Sequence, residues 1–156
     1  MLLEGVFVNS STIQKVFPAY FANFRMPDAA VEQEINVYRA CPTHKIEKAS
    51  FLNTYEENGF KVTAGGEIDD PQEYCMSTFI RLKDVKRFVI IDSKYQPPWL
   101  LAKGKTTKVD GPSCETKAWK RTKNSHVDWW LYEDAEPWLA FEETNYEREK
   151  QSISIP

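Results

Sequence analysis

The segment Ser125–Glu133 (SHVDWWLYE) holds the densest group of chemically capable side chains in the chain. If this segment is a strand, alternation places His126, Asp128, Trp130 and Tyr132 on one face. That face carries a proton-transfer group, a carboxylate and two rings with polar tips. Such a mixture suits a pocket wall, where rings exclude water and polar groups orient a ligand. The alternative is an amphipathic strand whose polar face meets solvent.

Arg39 is a second candidate, because it follows Ile35 and Val37 on the inward register of a predicted strand. Burying a guanidinium without a partner is costly, so this side chain needs a counter-charge or a ligand. Its planar donors match a phosphate or a carboxylate. We therefore expect either an anion-binding arginine or an arginine at a strand end that reaches solvent or pairs with an acidic residue.

Ser77 and Thr78 lie in a second predicted strand, where their hydroxyls can bind a ligand or join two strands. They could equally cap the helix that we predict from about Leu82. Taken alone, this pair of residues does not distinguish a binding role from a structural one.

The sequence contains few signatures of other chemistry. Besides His126 there is one histidine, His44, and the three cysteines show no metal-ligand spacing, so we do not expect a metal site. The phosphate-loop pattern, the dinucleotide fingerprint and the GxSxG elbow are missing. A cysteine could still pair with His126 in space, although free thiols are usually small buried hydrophobes. The cysteines are Cys41, Cys75 and Cys114.

The order of three features resembles the Arg/Ser/Glu pattern of ADP-ribosyltransferases. These features are Arg39 at the end of an early strand, Ser77-Thr78 on a middle strand, and a glutamate near a later strand. The resemblance implies that Arg39 holds a phosphate of NAD and that Ser77 and Thr78 support the nicotinamide site. The arrangement around His126 is also similar to small uncharacterised proteins of bacteria and phages, which implies a setting but no mechanism.

The same resemblance implies a glutamate at the nicotinamide ribose. Glu133 closes the clearest predicted strand, and Glu143 lies in the sequence FEET, so both remain candidates. An aromatic ring would stack on nicotinamide, with Tyr38, Trp130 and Tyr132 as the choices. NAD is the cofactor that this family pattern implies.

Periodicity and punctuation predict the elements that position these residues. Helices are predicted over Ser10–Phe24 with a kink or a break into two short helices at Pro18, Ser50–Asn58 ending at Gly59, Leu82–Ile91, and Pro137–Glu143. The run Phe88–Ile91 could instead be a strand, because periodicity does not decide for a short apolar run. Strands are predicted over 35–40, 74–80, 99–105 and 127–133, and the basic stretch Cys114–Asn124 is predicted to be a surface excursion. Because helical crossovers between the strands are irregular, we predict an α+β fold. It has a mixed or antiparallel sheet of about four to six strands, with N-terminal and middle helices packed against it.

Length and composition predict one globular domain over residues 1–144 and a polar C-terminal tail over 145–156. The 156 residues are 42% hydrophobic and 28% charged, which is typical of a chain with a real core. The formal net charge of −3 argues against general nucleic-acid binding. No signal segment or membrane span is evident, so we expect a cytoplasmic protein with no membrane partner.

Two functions follow from these observations. The first is an NAD-using transferase or hydrolase in which Arg39 holds the pyrophosphate and a glutamate stabilises the developing positive charge on the ribose. The second is a non-catalytic protein that binds a small phosphate-bearing or aromatic ligand, or that inhibits a host protein as a mobile-element factor does. The sequence leaves the choice between them open.

Overall fold

The computed structural model describes residues 15–90 and 97–154. Six strands form one sheet in the order β4-β5-β2-β1-β3-β6, and every neighbouring pair is antiparallel. The strands are β1 (Asn36–Cys41), β2 (Met76–Phe79), β3 (Leu100–Lys105), β4 (Ser113–Glu115), β5 (His126–Trp129) and β6 (Phe141–Thr144). The helices are α1 (Thr54–Glu57), α2 (Leu82–Val89) and α3 (Tyr146–Ser154). The predicted α+β class with an antiparallel sheet is confirmed.

Each face of the sheet has its own core. Along β1 alternate residues point to opposite faces, so Val37 and Cys41 belong to one core and Ala40 to the other. The first core lies under Phe51 from the segment that precedes α1. The second core lies under α2, through Leu82, Val85 and Val89. A third, aromatic cluster fills the space between the residues before β1 and the loop that precedes β2; it includes Phe21, Tyr74, Cys75, Cys114 and Trp130.

The N-terminal helix is shorter than predicted. Its described part is a 3-10 helix over Ala19–Asn23, and residues 10–14 of the predicted helix lie outside the described residues. Pro18 is extended, with ψ of 145°, and stands immediately before the helix instead of kinking its middle. Proline has a fixed φ and lacks an N–H, so it is well tolerated at this boundary.

The helix predicted from Ser50 begins four residues later. Asn53 is the N-cap of α1: its side chain accepts from the Glu56 amide at 2.8 Å, and the Glu56 carboxylate accepts from the Asn53 amide at 3.1 Å. This reciprocal capping box satisfies two amides at the start of α1. Gly59 follows with φ of 71°, as predicted for the residue that ends the helix.

Three predictions for the second half of the chain need correction. The strand expected over 127–133 ends at Trp129, which pairs with the first residues of both neighbouring strands, Met76 of β2 and Ser113 of β4. The predicted helix from Pro137 is a 3-10 helix over Pro137–Ala140, and the following residues form β6 at the sheet edge. Two residues of the predicted surface excursion belong to β4, and residues of the predicted polar tail form α3.

Helix α2 confirms the helical interpretation of the run that begins at Leu82, as far as Val89; residue 91, the last of the predicted helix, lies outside the described residues. No helix within 15–90 and 97–154 is long and apolar enough to cross a bilayer.

A candidate acid–base site

The candidate site lies on the face of β2 and β5 that also packs against α2. In the antiparallel register Ser77 stands opposite Asp128, and Phe79 stands opposite His126. Directly paired residues share a face, so Ser77, Asp128 and His126 project to the same side of the sheet. The 3-10 turn Thr116–Ala118, which follows β4, brings Thr116 to the same place.

His126 and Asp128 form a closely coupled pair. The Nδ1 atom of His126 lies 2.9 Å from Oδ1 of Asp128, and the hydroxyl of Thr116 lies 2.7 Å from Nδ1 and 3.0 Å from the same carboxylate oxygen. A carboxylate only accepts hydrogen bonds, so Nδ1 carries the proton in this arrangement. In the neutral ring Nε2 is then a proton acceptor, and it has no hydrogen-bond partner within the described residues.

Asp128 is fully buried, with an exposed fraction of 0%. Besides His126 and Thr116, it accepts from Gln72 Nε2 at 3.1 Å, from Trp119 Nε1 at 2.8 Å and from Cys75 Sγ at 3.4 Å. Burial by itself raises the pKa of Asp128, but the hydrogen bonds from His126, Gln72 and Trp119 outweigh it and hold the pKa below its usual value. Asp128 is therefore a carboxylate at neutral pH, fixed against the imidazole.

The imidazole of His126 borders a cavity of about 300 Å³. Its side chain is 14% exposed, whereas Asp128 lies beneath it. The lining residues are Gln72, Cys75, Ser77, Thr116, Lys120, Arg121, Thr122, Asn124 and His126. The cavity thus combines an imidazole that is backed by a buried carboxylate, hydroxyl groups and two cations.

Cys75 borders the cavity, but its thiol does not have the properties of a nucleophile. Burial, and then the neighbouring carboxylate of Asp128, raise the pKa of Cys75 well above its usual value. The protonated thiol donates its hydrogen to Asp128. Nucleophilic cysteines need a lowered pKa. A Cys75–His126 nucleophilic pair is therefore not what this geometry favours.

Arg39 is buried, as its strand register predicted, but its donors are directed at the protein. Nε donates to the carbonyl of Ser50 at 2.9 Å, Nη1 to the carbonyl of Ser77 at 2.9 Å, and Nη2 lies 3.4 Å from Glu57 Oε2. The guanidinium lies on the face of the first core, opposite the His126 cavity. The expected pairing with an acidic residue is what the structure contains, and Arg39 does not line the cavity.

The other predicted ligand contacts lie apart from the cavity. Thr78 is on the opposite face and donates to the carbonyl of Val127 at 3.1 Å. Trp130 is fully buried and donates from Nε1 to the carbonyl of Pro71 at 2.9 Å. The hydroxyls of Tyr38 and Tyr132 are held by Glu149 at 2.8 Å and by Glu32 at 2.6 Å, respectively.

The two candidate glutamates are also separate from the histidine. Glu133 is exposed beyond the end of β5, and Glu143 is exposed on β6, four strands away from β5 in the sheet. Neither carboxylate borders the His126 cavity. Of the residues predicted as site residues, the structure brings together His126, Asp128 and Ser77.

Sequence reasoning missed the residues that complete the site, namely Gln72, Thr116, Trp119, Lys120 and Arg121. One signal was available: the run that leads into His126, residues 116–126, contains four lysines and arginines and no acidic residue. Gln72, which donates to Asp128, lies 56 residues before it in the chain and gives no local pattern.

Comparisons with protein-family models, with curated proteins and with solved structures give no match for this chain. Among residues 15–90 and 97–154, no group of three or more histidine, cysteine, aspartate or glutamate side chains is placed to hold a metal ion.

Proposed function

We propose that this chain is an acid–base enzyme that acts on a small phosphate-bearing ligand bound in the cavity beside His126. One observation carries the proposal: the fully buried carboxylate of Asp128 holds Nδ1 of a histidine whose ring borders a cavity with two cations. Buried ionisable pairs that open onto a cleft are typical of functional sites.

The chemistry follows from the proton positions. Nε2 of His126 takes a proton from a water molecule or hydroxyl at the reacting centre, and Asp128 stabilises the imidazolium that forms. The side chain of Ser77 borders the same cavity, and its hydroxyl has no hydrogen-bond partner within the described residues. In the proposal this hydroxyl binds the ligand next to the imidazole, and the reaction is hydrolysis or group transfer.

The cations supply ligand recognition. Lys120 and Arg121 border the cavity, and a guanidinium or an ammonium is a strong partner for a phosphate. The resemblance to ADP-ribosyltransferases makes NAD the first substrate to test. If NAD is used, its phosphates bind to Lys120 and Arg121 and not to Arg39, whose donors are occupied by Ser50, Ser77 and Glu57.

Ring NMR spectra of the histidines test binding directly. The chain has two histidines, and His44 is exposed. Addition of inorganic phosphate is expected to shift the ring signals of His126 and leave those of His44 in place. Unmoved His126 signals at saturating phosphate would overturn the proposal.

A pair of matched variants tests catalysis. His126→Asn is expected to lower the rate of nicotinamide release from NAD, or of phosphate release from ATP, by about 10²–10⁴-fold. His44→Asn is the control, because asparagine tolerates the positive φ of 65° at that position. Equal rates for His126→Asn and the wild type contradict the assignment, as does the lack of turnover of both substrates by the wild type.

A further inference from the structure

The border of the His126 cavity is strongly basic, although the chain as a whole is acidic. Residues 116–126, here called the mouth segment, contain Lys117, Lys120, Arg121 and Lys123 and no acidic residue, against a net charge of −3 for the chain. A local concentration of one sign of charge at a cleft attracts ligands of the opposite sign.

Most of this charge has no counter-charge. Lys117 pairs with Glu115 at 3.3 Å, with both side chains substantially exposed. Lys120 donates at 2.6 Å to the neutral amide oxygen of Gln72. Arg121 and Lys123 make no ion pair or side-chain hydrogen bond within the described residues. Three cations of the mouth segment are therefore uncompensated, and Lys120 and Arg121 border the cavity.

The position of Lys120 links this charge to the acid–base pair. Lys120 contacts Gln72 through the amide oxygen, while the amide nitrogen of Gln72 donates to Asp128 at 3.1 Å. Hydrogen bonds through Gln72 and Asp128 thus link the Lys120 ammonium to the His126 imidazole. Because Gln72 is neutral, it orients Lys120 without cancelling its charge.

We propose that the ligand of this site carries a diphosphate, which binds to Lys120 and Arg121 while the reacting end of the ligand lies at His126 and Ser77. This inference rests on the proposed function and specifies its substrate class. Two adjacent cations can each contact one of the two phosphoryl groups of a diphosphate, whereas a single phosphate ester offers one such group to both. Arginine can bind one phosphoryl group in bidentate fashion, and lysine acts on the other as a point charge.

The experiment compares dissociation constants for inorganic phosphate, pyrophosphate and ADP at matched ionic strength. Pyrophosphate and ADP are expected to bind at least about tenfold more tightly than phosphate, as one additional charge-assisted contact implies. Lys120→Met and Arg121→Gln are each expected to remove most of this preference. Lys117→Gln is the matched control, because Lys117 lies on the same segment but pairs with Glu115 and does not border the cavity.

Several results would overturn the diphosphate assignment. They are equal binding of phosphate and pyrophosphate, an equal loss in the Lys117→Gln control, and unchanged affinity in Lys120→Met and Arg121→Gln. A ten-nucleotide single-stranded RNA that binds more tightly than pyrophosphate would also overturn it, in favour of an extended phosphate backbone. If phosphate shifts the His126 signals without a diphosphate preference, only this inference fails; if no phosphate compound shifts them, the proposed function fails as well.

Discussion

The Nη1 atom of Arg39 donates a hydrogen bond of 2.9 Å to the backbone carbonyl of Ser77. Strands β1 and β2 are registered at Tyr38 and Phe79, and the arginine side chain provides a further link between them. The same guanidinium donates to the carbonyl of Ser50. Arg39 therefore holds the backbone of Ser77 from the face opposite the cavity into which the Ser77 side chain projects.

Arg39→Met is expected to lower the free energy of unfolding by about 3–5 kcal/mol, because it leaves the carbonyls of Ser50 and Ser77 without their donors. Urea denaturation measures this change. Glu57→Gln is the comparison variant: it removes the partly exposed counter-charge at 3.4 Å but keeps the two hydrogen bonds from Arg39 to backbone carbonyls, so a smaller loss than in Arg39→Met is expected. A stable Arg39→Met protein that no longer binds phosphate would instead assign Arg39 to the ligand.

Asp128→Asn is expected to destabilise the protein by about 3 kcal/mol at pH 7, because it removes the charge that accepts from His126, Gln72 and Trp119. The folded-state pKa of Asp128 is lowered, so its contribution is present above the unfolded pKa of about 3.9 and is lost as pH falls through the folded pKa. The stability difference between wild type and Asp128→Asn should therefore shrink below about pH 4.

Urea titrations from pH 3 to 7 measure that convergence. Asp69→Asn, at an exposed turn residue, is the control and should change the free energy of unfolding by less than about 0.5 kcal/mol. A wild-type advantage over Asp128→Asn that stays constant, or grows, between about pH 4 and pH 3 would contradict the assignment of a buried, ionised Asp128.

Glu149→Ala is expected to loosen α3 from the sheet. The buried carboxylate accepts from Tyr38 at 2.8 Å and from Thr144 at 2.6 Å, and it lies 3.4 Å from Lys103. Loss of these bonds should lower the free energy of unfolding by about 2–3 kcal/mol and speed hydrogen exchange along α3. Glu147→Ala, at an exposed position on α3, is expected to change stability by less than about 0.5 kcal/mol. Similar exchange in both variants would show that Glu149 does not anchor the helix.

The three thiols are expected to be unreactive in the folded protein. Cys41, Cys75 and Cys114 are all buried. Burial raises the pKa of Cys41 to about 11 and that of Cys114 to about 12, and the pKa of Cys75 is also raised. Thiol titration with a chromogenic disulfide at pH 8 should detect no fast-reacting cysteine in the native state and three in urea. A thiol in the native protein that reacts as fast as free cysteine would contradict this.

Local sequence patterns determined several features of this protein. Alternation in residues 35–40 identified β1 and placed Arg39 on the core face, because a strand repeats every two residues. The apolar spacing after Leu82 identified α2, and Gly59 marked the end of α1. The same alternation put His126 and Asp128 on one face, where they form the acid–base pair.

Only the tertiary structure decided which candidate residues meet. Ser77 faces Asp128 because β2 and β5 are neighbours in register, although about fifty residues separate them in the chain. Glu133 and Glu143 lie elsewhere because β5 ends at Trp129 and β6 joins the far edge. On β1, Arg39 alternates with Tyr38 and Ala40 and shares the face of Val37 and Cys41, because successive residues of a strand face opposite sides of the sheet. That face is opposite the cavity, so the Arg39 side chain points away from it. Strand order and register depend on packing across the whole domain, whereas periodicity reports only which residues of one element share a face.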